Sequence, residues 1–161
     1  MKIELTPRIL ILACGNSLRS DDGVGPWLAE WVEENSNADI RVISRQQWTP
    51  ELAYDLARAE SAIFIDCSLA SSPGAVNLLP VHAALVNQAP ATHHLGAPEL
   101  LALSQDLYGS QPRNALLLTI GAGSVELGEE FSPQAAAALP QACQLLQNTI
   151  EQMLSAGSEP A

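Results

Sequence analysis

Short apolar runs alternate along this chain with amphipathic stretches. The runs over 8–14, 40–44, 62–67, 76–80 and 115–122 have the length and composition of strands. The first, third and last are apolar at successive positions, which predicts burial on both faces and a central place in a sheet. Between them stand helix signals. Thr49-Pro50-Glu51 and Ser132-Pro133-Gln134 each set a hydroxyl before a proline at the first helical position. After the first, Leu52, Leu56 and Ala59 share one face. After the second, Leu139, Ala142, Leu146, Ile150 and Met153 keep a spacing of three to four, with Pro140 placed to kink the helix early. A further helix is expected from Gly25-Pro26, burying Trp27, Leu28, Trp31 and Val32, and another from Ala97-Pro98-Glu99 to about Leu107. Strands alternating with crossover helices predict an α/β fold, with a mostly parallel five-stranded central sheet and helices on both faces.

The length, 161 residues with 47% apolar, suits a single core. We expect one domain over 1–154 and a small, polar C-terminal tail over 155–161. Seven Lys and Arg against 18 Asp and Glu give a net charge of −11, the wrong sign for a surface that gathers phosphates, so nucleic acid is not an expected partner. The longest apolar run, Ile9 to Cys14, falls well short of the roughly 18 to 20 residues of a membrane-spanning helix. No membrane partner is expected. The N-terminal stretch, with Glu4 between Lys2 and Arg8 and a polar loop after the apolar run, does not read as a secretion signal. Cys14, Cys67 and Cys143 are odd in number and widely spaced, which makes neither a disulfide framework nor a CxxC pair and points to a reducing cytoplasm.

Ligands of open α/β sheets sit beyond the carboxyl ends of the strands, so the segments that follow strands hold the candidate chemistry. After the first strand, Gly15 to Gly25 carries Asp21 and Asp22 in a glycine-bounded loop at the start of a helix. Composition alone favours helix capping by one of them. The third strand ends on Asp66, a position where aspartate usually serves a turn. If the first and third strands are neighbours, Asp22 and Asp66 face each other across one crevice, and two facing carboxylates repel unless a cation or proton joins them. A third segment carries His93 and His94 before a helix. A histidine pair in a loop is more often solvated than ligating, yet two aspartates and one histidine also make a three-ligand set for a borderline divalent metal. Cys67 raises the alternative of a thiol nucleophile with a histidine base, against which stands the ordinary burial of cysteine at the end of an apolar strand. A dinucleotide site is excluded by spacing, because Gly15, Gly23 and Gly25 do not form GxGxxG and two aspartates would repel a pyrophosphate.

The stretch Ile11-Leu12-Ala13-Cys14-Gly15-Asn16-Ser17-Leu18-Arg19-Ser20-Asp21-Asp22-Gly23-Val24-Gly25 resembles the opening of the hydrogenase maturation proteases, the endopeptidases that trim nickel-iron hydrogenase large subunits. The resemblance continues through Thr49-Pro50-Glu51-Leu52, Ile63-Phe64-Ile65-Asp66, His93-His94-Leu95 and 128–133, in order over nearly the whole chain.

The resemblance implies a three-layer α/β sandwich and a metal-binding cleft whose ligands match Asp22, Asp66 and His93, with His94 as the alternative histidine. It implies a cytoplasmic, monomeric endopeptidase that meets a hydrogenase large-subunit precursor transiently and removes a C-terminal extension. Nickel is then carried by the substrate, and other divalent metals such as zinc are able to occupy the site. Some members have glutamate where this chain has Asp22, which shortens the reach here by one methylene. Catalysis by Asp22, Asp66 and His93 stays open between metal-assisted hydrolysis and a carboxylate general base. A nickel-sensing chaperone that docks on the precursor without cutting would use the same ligands.

Overall fold

The computed structural model describes residues 7–37, 39–84 and 95–158. The chain runs through β1 (Ile9–Cys14), a single 3-10 turn (Ser20–Gly23), α1 (Val24–Asn35), β2 (Ile40–Arg45) and α2 (Leu52–Ala57). It continues through β3 (Ser61–Ser68), β4 (Val76–Pro80), α3 (Ala97–Tyr108), β5 (Asn114–Gly121) and α4 (Pro133–Ser158). The five strands form one sheet in the order β2-β1-β3-β5-β4, parallel except for β4, which runs antiparallel to β5 at one edge. β1, β3 and β5, each carrying a run of successive apolar residues, occupy the three inner places, as two-sided hydrophobicity requires.

Alternation along the inner strands sorts the core into two layers. Ile9, Ile11, Ala13, Ile63 and Ile65 meet Val24, Leu28 and Val32 of α1 and Ala135, Ala142 and Leu146 of α4. On the opposite face Leu10, Leu12, Ala62 and Phe64 meet Leu52 and Leu56 of α2 and Leu100 and Leu101 of α3. Each of the largest of these side chains, such as Phe64 and Leu12, is withdrawn completely from water and contributes about 1.5–3 kcal/mol. The three-layer sandwich therefore follows from two helix pairs, each with its own cluster.

Two local expectations differ from the structure. Trp27 is 40% exposed, because α1 turns Val24, Leu28, Ala29 and Val32 inward and leaves Trp27 beside that stripe. Entry into α2 uses no side-chain cap: the Leu52 N–H donates to the Thr49 carbonyl at 3.1 Å, a tight turn that satisfies the first donors by backbone alone. Pro140 lies inside α4 without ending it. α4 continues to Ser158, over the first residues of the small, polar C-terminal stretch, since adding a residue to a formed helix costs far less than starting one.

Candidate active site at the carboxyl edge of β1 and β3

Parallel pairing of β1 with β3, in register Ala13 with Ile65, brings the chain leaving Cys14 beside Asp66. The chain leaving β1 must then turn sharply, and two glycines permit it. Gly15 has φ +148°, and a Cβ there would overlap the Asp22 carbonyl oxygen. A Cβ on Gly25 would overlap the Cys14 carbonyl oxygen, so this glycine lets α1 start directly against the end of β1. The glycine-acid-glycine spacing in the sequence is thus a folding requirement of the loop that carries Asp22.

The two adjacent aspartates take separate roles. Asp21 is completely buried, and its carboxylate accepts the Gly123 N–H at 2.7 Å, the Ser124 N–H at 3.1 Å, the Ser132 N–H at 2.8 Å and the Ser132 hydroxyl at 2.7 Å. Burial pushes its carboxyl up, but the Ser132 hydroxyl and these backbone donors together outweigh that and hold it below the usual aspartate value. Ser132 in turn caps α4 by accepting the Ala135 N–H at 3.2 Å. Neither aspartate caps α1, so capping, the reading that composition favoured, is replaced by a tie from Asp21 to the β5–α4 loop.

Asp22 faces the cleft. One oxygen accepts the Asn16 N–H at 2.8 Å, which fixes the carboxylate, and the other accepts the Cys67 thiol at 3.3 Å. Asp66 folds back along its strand to accept the Cys67 N–H at 2.8 Å. Carboxylate oxygens of Asp22 and Asp66 and the Cys67 sulfur all lie within 4.8 Å of one another, half-buried. The structure therefore brings Asp22 and Asp66 together, as strand adjacency predicts. His93 and His94 lie outside the described residues.

Sequence reasoning assigned Cys67 to packing and missed its place beside Asp22. The available signal was its position directly after Asp66. Burial raises the Cys67 thiol well above the ordinary range, and the hydrogen bond to Asp22 and the charges of Asp66 and Asp22 raise it further. Burial, with the charge of Asp66, likewise pushes Cys14 up to about 12. A nucleophilic cysteine needs the opposite shift, so the thiol-nucleophile alternative has no electrostatic support. Cys14 is also turned aside, donating to the Gln46 carbonyl at 3.4 Å. Two carboxylates and a sulfur at these separations are a donor set that fits a borderline divalent cation.

No protein-family model and no curated protein sequence matches the chain. Solved structures do. The hydrogenase maturating endopeptidase HybD from E. coli superposes with a TM-score of 0.76 at 21% identity, covering 90% of this chain and 93% of that one. The [NiFe] hydrogenase maturation protease HybD from Thermococcus kodakarensis gives a TM-score of 0.68 at 25% identity, over 88% and 98% of the two chains. HycI of the same organism, another [NiFe] hydrogenase maturation protease, gives 0.68 at 23%, over 89% and 92%. This chain has the fold that those endopeptidases share, over nearly its full length.

Proposed function

We propose that this chain is an endopeptidase that removes a C-terminal extension from the nickel-loaded precursor of a nickel-iron hydrogenase large subunit. The observation that carries the reading is the facing pair Asp22 and Asp66 at the carboxyl edge of β1 and β3, in a fold shared with named hydrogenase maturation endopeptidases. Asp22, Asp66 and His93 are the residues assigned to the metal and to catalysis, His93 from its place in the sequence resemblance.

The nickel belongs to the substrate in this reading, and the cleft supplies ligands that complete its coordination. When bound, a divalent ion at this position polarises a carbonyl or acidifies a water. Asp22, anchored through Asn16, and Asp66 are placed to orient the peptide bond beside the ion. Either carboxylate can take the proton of the attacking water as general base, and passing that proton to the leaving amine completes hydrolysis. A transient encounter in the cytoplasm by a monomer fits a processing step. It agrees with three unpaired cysteines and with the lack, among the described residues, of any helix long and apolar enough to cross a membrane.

The test is the mass of a nickel-loaded large-subunit precursor before and after incubation with the protein. Loss of a C-terminal peptide is the expected result. A stable complex with unchanged precursor mass would instead identify a docking chaperone that reads nickel without cutting.

A further inference from the structure

Beside the two carboxylates the cleft holds a sulfur that the proposed ligand set does not use. Successive strand residues ordinarily point to opposite faces of a sheet, yet Asp66 and Cys67 both reach the same spot. The cause is local: the Asp66 carboxylate bends back onto the Cys67 N–H at 2.8 Å, while the Cys67 side chain crosses to Asp22 at 3.3 Å. Asp22 is held from behind by the Asn16 N–H, so the oxygen aimed at the sulfur is fixed before any ion arrives. Cys14, the other cysteine near the cleft, is committed to the Gln46 carbonyl, and Cys143 lies in α4 against the core. Among the described residues, Cys67 alone combines half-burial with a sulfur inside the carboxylate pair.

We propose that Cys67 is a metal ligand of this cleft, so that Asp22, Asp66 and Cys67 form an O,O,S site selecting thiophilic divalent cations. A purely carboxylate site favours magnesium, calcium or manganese, whereas one thiolate shifts preference toward zinc, cobalt and nickel-like ions. The two negative carboxylates attract a dication to the spot the sulfur already occupies, and a coordinated thiol gives up its proton to the buffer. In the processing reading, on which only this last consequence rests, Cys67 adds a sulfur contact that distinguishes a nickel-bearing precursor from one carrying magnesium or no metal.

The experiment is titration of the purified full chain with cobalt(II), followed by absorption. A near-ultraviolet sulfur-to-cobalt charge-transfer band is expected in the unaltered protein, lost in Cys67→Ser and kept in Cys143→Ser. Because Cys67→Ser could disturb folding, a Cys14→Ser/Cys143→Ser double variant retains Cys67 as its single thiol and must still show the band. Absence of cobalt binding, a band that survives Cys67→Ser, or its disappearance from the double variant overturns the proposal. The readout is spectroscopic, so a protein that binds cobalt through Cys67 but never cuts a precursor would sink the processing reading and leave this one standing.

Discussion

Ser132 gives both its backbone N–H and its hydroxyl to the carboxylate of Asp21, at 2.8 and 2.7 Å, across 111 residues of sequence. That pair fastens the start of α4 to the turn that presents Asp22, and so couples the last helix to the cleft. Replacing Asp21 by asparagine leaves one acceptor oxygen and points an amide N–H at buried donors. A loss on the order of 3 kcal/mol is expected, read as a lower urea midpoint at unchanged slope.

The same carboxylate sets a pH dependence. Asp21 is held below its ordinary value in the folded protein and regains about 3.9 when unfolded, so in that window the unfolded state binds more protons. Its contribution is fully present above the unfolded value and is lost as pH falls through the folded one. Urea midpoints measured down an acid series should fall for the unaltered protein and fall less steeply for Asp21→Asn.

Gly15→Ala places a methyl group against the Asp22 carbonyl in a backbone conformation that side chains rarely adopt. The chain must either lose roughly 2 kcal/mol or more or move the loop. Strain held in place lowers the thermal midpoint, and movement of the loop displaces Asp22 and lowers processing. A variant as stable and active as the unaltered protein would show that the loop tolerates a different path.

Asp22→Ala and Asp66→Asn test the cleft itself. Each removes a charge from the pair, and processing should fall by on the order of 100-fold or more if the pair acts as base or ligand. Far-ultraviolet circular dichroism should be unchanged for Asp66→Asn, which keeps the size of the side chain. Full activity in both variants would remove the carboxylates from the mechanism.

Removing nickel from a competent precursor should abolish cutting, and reloading it should restore the truncated mass. An O,O ligand pair has no intrinsic preference for nickel over copper or zinc, so the choice of metal has to come from groups beyond the carboxylates. Efficient cleavage of a metal-free precursor by metal-free protein would falsify the substrate-borne role of nickel.

What the sequence by itself determined was local: the short apolar runs of the strands, the shared helical face of Leu52, Leu56 and Ala59, the three-to-four spacing along α4, and the Ser132-Pro133 start of α4. These features act over a few residues, where side-chain alternation and backbone capping leave little choice. The central places of β1, β3 and β5 were legible for the same reason, because a segment apolar on both faces has nowhere else to go. Only the tertiary structure decided the antiparallel course of β4, whose half-exposed residues fit either direction at an edge. It also separated Asp21 from Asp22, giving one to four donors from the β5–α4 loop and the next to the cleft. Cys67 was read as packing because its partner Asp22 is 45 positions away, and no local pattern records a contact made by strand pairing and one sharp glycine turn.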